Sequence, residues 1–287
     1  MTHTAPSHPR RLARNAARRV PLWCAIALLL VIEVYPLLWL LLDSFKTQAE
    51  FLSEPFWALP DSLHFQNYVD AFTTGQMGSY ILNSAIAVVP ALVLTIVLGV
   101  ATGFGLQVMV FKGRSTLLLL FLAGILVPGQ MTLLPLFTIY YQTHLTGTLW
   151  PLIITYTAGG LPLTVFFMAT YFRAVPREVF EASTLDGASI LRTYWSVGFP
   201  LVRNAVFTIG LVQFFFLWND LLVALTFTNS SQLQTIQVGL LNFTGNYGQI
   251  AYGPLFAAIC VSVFGTLAIY LFLNKRIMEG LTAGAVK

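Results

Sequence analysis

Charge is what this chain has least of. Its 287 residues include 15 Lys and Arg and 11 Asp and Glu, so only 9% of positions are charged while 57% are hydrophobic. That balance excludes an ordinary soluble domain, in which roughly 25% of residues are charged. Cysteine is almost absent too. Cys24 and Cys260 lie in or beside apolar runs, form no metal or redox spacing, and read as small packing residues. His3, His8, His64 and His144 are scattered and make no ligand cluster. A nucleotide site is missing as well: Gly280-Leu-Thr-Ala-Gly-Ala-Val-Lys287 only resembles a phosphate loop, because its second glycine and its lysine are wrongly spaced. No nucleophiles or metal ligands converge at one place, which argues against a membrane-embedded enzyme. Asn229-Ser-Ser231 and Asn242-Phe-Thr244 fit the glycosylation pattern and are read as chance.

Long apolar runs take the place of charge. Mean hydropathy is +0.76, and a helix needs about 20 apolar residues to cross the hydrocarbon of a bilayer. Six runs reach that length: Leu22 to Leu42, Tyr80 to Leu106, Thr116 to Tyr140, Leu149 to Phe172, Ala205 to Phe227 and Leu255 to Leu273. The expected fold is all-α, a polytopic membrane protein with six transmembrane helices. Arg10, Arg11, Arg14, Arg18 and Arg19 precede the first run, Lys112 and Arg114 follow the second, Arg173, Arg177, Arg192 and Arg203 follow the fourth, and Lys275, Arg276 and Lys287 follow the last. With six spans these all share one side and the opposite loops hold only Lys46, so both termini are expected in the cytoplasm. The net charge of +4 is thus a topology signal and carries no nucleic-acid inference. The basic start resembles a signal peptide, yet no small-residue cleavage site follows Leu42-Asp43, which points to an uncleaved anchor.

Several features interrupt the spans. Pro36, Pro90, Pro128, Pro135, Pro151, Gly159, Gly160 and Pro162 fit either a moving bundle around a water-lined path or simple packing kinks. Gly99, Gly103 and Gly105 permit close helix approach. Glu33 and Asp220 sit at membrane depth, where a carboxylate is costly and is either functional or structurally paired. An ion-coupled secondary transporter using those two acids is the rival reading; six spans without an internal inverted repeat weigh against it. The uncharged outer loop Asn229 to Tyr252 offers Asn242, Thr244, Asn246, Tyr247 and Gln249, groups suited to a neutral sugar or simply to a polar loop.

A polar island separates the fourth and fifth runs. Pro176 suits the first turn of a helix, Glu178 and Glu181 favour its positive end, and Gly187 supplies a left-handed stop. A second short helix is expected to begin near Ser189 and to end at Pro200. On it Ile190, Leu191, Tyr194, Trp195 and Val197 form one side, with Arg192, Thr193 and Ser196 opposite. Such a helix-Gly-helix elbow with an aromatic stripe is shaped to be gripped by another protein.

The stretch Glu181-Ala-Ser-Thr-Leu-Asp-Gly187 with Val197-Gly-Phe-Pro200 resembles the EAA loop of ABC-transporter permeases, here spanning 177–200. That pattern is Glu-Ala-Ala, three residues, Gly, nine residues, Ile, any residue, Leu-Pro. Glu181, Ala182, Gly187 and Pro200 match; Ser183, Val197 and Phe199 depart from it by small or apolar changes. Leu42-Asp-Ser-Phe-Lys46, Asn67-Tyr-Val-Asp-Ala-Phe72, Leu82-Asn-Ser84, Val127-Pro128 with Leu134-Pro135, Val238-Gly-Leu240 and the tail from Gly280 extend the resemblance to maltose-type permeases of carbohydrate importers, specifically the second, six-span one of two unlike permeases. Trp218-Asn-Asp-Leu-Leu is similar to a Trp-Asn-Glu-Phe-Leu segment of sugar-type permeases.

The resemblance implies a type I ABC importer permease fold, divided into a basic tail (1–21), a first helix with an acidic outer loop (22–75; Asp43, Glu50, Glu54, Asp61, Asp70), a transmembrane type-1 domain (76–273) and a C-terminal tail (274–287). It implies a second, non-identical permease, two cytoplasmic ATPase subunits, an extracytoplasmic sugar-binding protein and membrane lipid as partners. ATP and Mg would be held by the ATPases, and this chain would bind no cofactor and catalyse nothing. Glu181, Ala182, Ser183, Asp186, Gly187, Tyr194, Trp195 and Pro200 would couple to the ATPases. Asn83, Gln213, Trp218, Asn219 and Asp220 would contribute to the substrate path. The tail Gly280 to Lys287 would reach the ATPase dimer.

Overall fold

A computed structural model describes residues 9–55, 57–243 and 250–283, with side chains for 21–55, 57–243 and 250–272. Among the described residues there is no β-strand. The chain begins with α1 (Pro9–Asp43), whose apolar part is followed by two short helices, α2 (Gln48–Ser53) and α3 (Gln66–Thr73). Next come α4 (Met77–Val108), the pair α5 (Arg114–Ile125) and α6 (Gly129–Gln142), and α7 (Trp150–Ala174). The elbow is α8 (Arg177–Leu185) and α9 (Ile190–Thr193), which runs through a π-turn, Tyr194–Gly198, into α10 (Phe199–Trp218). The chain then makes α11 (Leu222–Phe227), the single turn α12 (Ile236–Gly239) and the long α13 (Tyr252–Ala283).

The spine of the bundle is the pair α4 and α7, and small residues let these helices touch. A Cβ placed on Gly103 would lie 2.7 Å from Met168 Cβ, one on Gly99 would strike Thr164, and one on Gly160 would lie 2.9 Å from Thr95 Cγ2. Gly105 has no such neighbour: the nearest atom is Met109 Sδ at 3.9 Å. Half of the apolar window of α7 is buried within the chain (50%), whereas none of α1's is (0%). Most apolar side chains of α1 are there for lipid or for another subunit, since only its last turns, with Trp39 against Phe256 of α13 at 6.0 Å, pack on this chain.

Two expected spans are broken. The run Thr116 to Tyr140 is not one straight helix: α5 and α6 meet at 96° across Leu126–Pro128. Pro128 disfavours helical backbone at Val127 and itself takes ψ 118°, so the helix stops and restarts at Gly129. The pair still traverses the bundle, since α5 starts beside the end of α4 while Tyr140 of α6 shares a 3.0 Å hydrogen bond with Thr155 near the start of α7. The other prolines do not break their helices: Pro36, Pro90, Pro135 and Pro162 lie inside continuous helices, and Pro151 is in the first turn of α7. The run Ala205 to Phe227 also divides, because α10 ends at Trp218. There Asn219 Nδ2 bonds back to the Phe215 carbonyl at 2.9 Å, and the Asp220 carboxylate takes the Ala224 amide at 3.0 Å, starting α11.

At the end away from the elbow, the acids of the loop after α1 divide: Asp43 and Glu50 are buried, while Glu54 and Asp61 are exposed. Asp43 is 1% exposed and pairs with Lys46 at 2.7 Å. Asn67 Nδ2 holds the Ser44 and Lys46 carbonyls at 2.9 and 2.8 Å, and Ser44 Oγ lies 2.7 Å from the Tyr68 hydroxyl. That hydroxyl also donates to Cys260 Sγ at 3.4 Å, and burial pushes it up to about 12. Glu50 completes a capping box with Thr47 and accepts the Asp61 amide at 2.7 Å. Its hydrogen bonds to Thr47 hold the carboxyl below its usual value.

Candidate coupling elbow and path residues

The elbow forms as its residues dictate. Pro176 caps α8, and Gly187 ends it at φ +77°. The Gly187 amide donates to the Thr184 carbonyl at 3.0 Å and the Ala188 amide to the Ser183 carbonyl at 3.1 Å, the paired bonds of a Schellman stop. Ser189 then caps α9, its hydroxyl accepting the Arg192 amide at 3.3 Å. Ser183, where the family pattern has Ala, shares a 2.9 Å hydrogen bond with Thr193 and so ties the two helices together.

Two expectations about the second helix are corrected. Pro200 does not end it: helical structure is continuous from Ile190 to Trp218. The Phe199 amide donates to the Tyr194 carbonyl five residues back, and this wider π-turn passes into α10 with Pro200 in its first turn, where a missing N–H costs nothing. Nor do Tyr194 and Trp195 form one exposed stripe. Tyr194 is 8% exposed and Trp195 59%. The Tyr194 ring points into the bundle, 5.2 Å from Phe104 of α4. Phe104 also meets Phe172 of α7 at 5.4 Å and Phe180 of α8 at 6.0 Å, all edge-on. Gly198 permits this approach, since a Cβ there would lie 2.9 Å from the Phe104 ring. Glu181, Ala182 and Asp186 are exposed, as are Leu185 (88%), Leu191 (68%) and Ile190 (46%). The elbow is thus anchored inward by rings and presents acids and large aliphatics outward.

Most of the path residues have their polar groups occupied within the chain. Asn83 Nδ2 clamps the Gln232 and Gln234 carbonyls at 2.8 and 3.0 Å. Gln213, 3% exposed, donates to the Gly160 carbonyl and the Thr164 hydroxyl at 2.9 and 3.0 Å. Trp218 stacks on Phe214 at 5.3 Å. Asp220 accepts from the Tyr156 hydroxyl at 3.0 Å in addition to the Ala224 amide of α11. Asn219 alone of the five is exposed. It lines an open groove of about 500 Å3 with Phe215, Gln237, Ser262, Thr266 and Tyr270. Glu33 is exposed on α1 and makes no hydrogen bond or ion pair among the described residues. Asn242 bonds to Tyr80 and Gln234, whereas Thr244, Asn246, Tyr247 and Gln249 of the outer loop lie outside the described residues. So do residues 284–287 of the tail; the backbone of Gly280 to Ala283 continues α13.

The family profile described as binding-protein-dependent transport system inner membrane component matches residues 71–277. The chain belongs to this family. It is therefore a multi-pass membrane permease component that works with other ABC importer components, and not itself an enzyme. The diacetylchitobiose uptake system permease protein NgcG of Streptomyces coelicolor is 36% identical over 288 residues, covering 100% of this chain and 93% of that protein. The trehalose/maltose transport system permease protein MalG of Thermococcus litoralis is 30% identical over 279 residues, covering 96% of this chain and 99% of that protein. A chain in the crystal structure of a bacterial ABC transporter involved in the import of the acidic polysaccharide alginate has a TM-score of 0.79 at 19% identity, covering 94% of this chain and 99% of that chain. That likeness gives the fold, the type I ABC importer permease. The ion-coupled alternative finds no support in any of these matches.

In this permease, sequence reasoning missed Phe104, Phe172 and Phe180. Gly99 and Gly103 signalled a close approach in α4, which Thr164 and Met168 of α7 make, but the glycine that admits the Phe104 ring is Gly198, and nothing in one sequence pairs the two. The role of Asp220 did have a signal, an Asp two residues before an apolar run, the ordinary sign of a helix start.

Proposed function

We propose that this permease forms one half of the path of an ATP-driven saccharide importer and transmits the ATPase cycle through the elbow. The second half is an unlike permease, two ATPase subunits holding ATP and Mg dock on the elbows from the cytoplasm, and an extracytoplasmic binding protein delivers the sugar. Both termini lie on the ATPase side, as the Lys and Arg distribution favours. The names of the relatives, which refer to diacetylchitobiose and to trehalose and maltose, support a saccharide as cargo.

The observation that carries the reading is the two-faced elbow. Leu185, Leu191 and Trp195 project outward at 88%, 68% and 59% exposure, beside the exposed acids Glu181 and Asp186. Short amphipathic helices of this kind seat in grooves of a partner. On the inner side Tyr194 and Phe180 lock the same segment to α4 and α7, so a push on the elbow moves the two helices at the core of the bundle. For the path, Asn219 and its groove fit a neutral sugar better than Gln213, Asn83 or Asp220, because Asn219 is exposed and those three are buried or half-buried.

Gly187→Val tests the coupling. A β-branched residue at φ +77° costs roughly 1–2 kcal/mol in backbone strain and should deform the stop between α8 and α9. The variant should insert normally, while binding-protein-stimulated ATP hydrolysis no longer drives uptake in the reconstituted importer. Normal uptake at normal expression would sink the proposal. Cysteines at Leu191 and Trp195 should crosslink to the ATPase and one at Tyr194 should not.

A further inference from the structure

Beside the elbow lies a cavity of about 660 Å3 that shares Glu181, Leu185 and Ile190 with the elbow's exposed face and has three arginines that coupling leaves without a role. Arg114 lines it from the first turn of α5, Arg173 from the last turn of α7 and Arg177 from the start of α8. None of the three forms an ion pair among the described residues; Arg114 donates one hydrogen bond to the Met109 carbonyl at 3.2 Å. Glu181 also lines the cavity, so guanidinium groups outnumber carboxylates three to one. Leu118 and Phe172 contribute apolar wall.

Three cations lining one cavity repel one another, and a bound anion relieves that repulsion. Guanidinium forks match phosphoryl oxygens in geometry as well as in charge. The apolar wall belongs partly to α5, whose Leu117, Leu119 and Leu120 are exposed and lead from the level of Arg114 into the apolar span. A ligand with an anionic head and a hydrocarbon tail satisfies both parts. We infer that the cavity holds the phosphoryl headgroup of an anionic phospholipid, gripped by Arg114, Arg173 and Arg177, with an acyl chain along α5. Basic pockets between helices at a membrane surface take such headgroups. Because Arg177 belongs to the elbow, the bound lipid ties α5 and α7 to α8.

The test is native mass spectrometry of the purified full-length chain, released from micelles holding equal phosphatidylglycerol and phosphatidylcholine. The wild-type chain should retain phosphatidylglycerol preferentially. Arg173→Gln and Arg177→Gln should each lower that retention about fivefold, the worth of one basic side chain near an anionic lipid surface, and Arg173→Lys should keep most of it. Lys112→Gln removes a charge between α4 and α5 that does not line the cavity, and should change nothing. Equal retention of the two lipids by the wild type, or a loss in Lys112→Gln as large as in the arginine variants, overturns the site in favour of none or of diffuse surface attraction. Displacement of the lipid by millimolar inorganic phosphate overturns the lipid assignment and makes the ligand a soluble phosphoryl group.

Discussion

At the elbow end the bundle is closed by rings: Phe104 of α4 stands edge-on to Phe172, Phe180 and Tyr194, from three other segments. At the far end rings also meet, Phe45 with Phe65 and Tyr68 and Phe51 with Tyr252 and Phe256, but there polar pairs are added to them. Asp43 with Lys46, Asn67 with two carbonyls, Glu50 with Thr47 and Asp61, and Gln48 with Ile250 and Tyr252 bind α1, α2 and α3 to one another and to the start of α13. Hydrogen bonds and ion pairs are directional and tolerate little displacement, whereas edge-on ring contacts hold over a range of separations of a few ångströms. The polar end is built to stay in one arrangement. The aromatic end can tilt as a unit without breaking any single bond, which suits the end that receives a push.

The largest effect expected from attacking this contrast is at the far end. Lys46→Met strands the Asp43 carboxylate at 1% exposure, and leaving a buried charge unpaired costs about 3–5 kcal/mol. Asp43→Asn combined with Lys46→Met removes both charges and should recover most of the loss. Thermal unfolding of the purified chain, followed by tryptophan fluorescence, measures both. If the single variant melts with the wild type, or the double variant melts lower than the single, the far end is not held by this pair.

Phe104→Leu should cost less and act elsewhere. It keeps an apolar side chain but gives up three edge-on contacts, each worth about 0.5–1.5 kcal/mol beyond area burial. Amide exchange should quicken across 177–198 and stay unchanged across 43–68. Uniform quickening along the chain would mean that the two ends are one cooperative unit and the contrast is false.

The two ends were unequally legible in the sequence. The elbow announced itself through local rules: a proline at the start, a glycine at the stop and a second helix beginning near Ser189, with Pro176 standing one place before the first turn and not in it. What was not legible was the direction of Tyr194: neighbours on a helix point about 100° apart, and nothing local says that the Tyr194 ring turns in to Phe104 while Trp195 stays out. At the far end the burial of Asp43 was not legible. Asp43 and Lys46 are only three residues apart, but their burial depends on α3 and α13, which arrive from distant parts of the chain. The same limit explains Asn83 and Gln213: polar residues in apolar runs look like path residues until their partners, 149 and 53 positions away, come into view. Helix breaks sorted by local chemistry as well. Pro128, followed at once by glycine, broke its span, while four other prolines with no such neighbour did not.

The smallest effect, and the one that resolves the contrast most finely, concerns Glu50. Its carboxylate accepts the Thr47 amide and hydroxyl at 2.5 and 2.6 Å and the Asp61 amide at 2.7 Å, so one side chain fixes both ends of the loop 47–61. These bonds favour the ionised form and hold the carboxyl below its ordinary 4.5. A group depressed on folding stabilises fully above its unfolded value and loses that contribution as pH falls through the folded one. The loop should therefore be secure at neutral pH and loosen on acidification below about 4.5. Glu50→Gln keeps one acceptor oxygen and loses the charge, a change worth about 1 kcal/mol at a helix cap. Amides of Thr47 and Asp61 should exchange about fivefold faster in the variant at pH 7, and the difference should shrink below pH 4.5. A difference that persists unchanged in acid would mean that the cap works by shape and not by charge, and that the far end owes its fixity to packing after all.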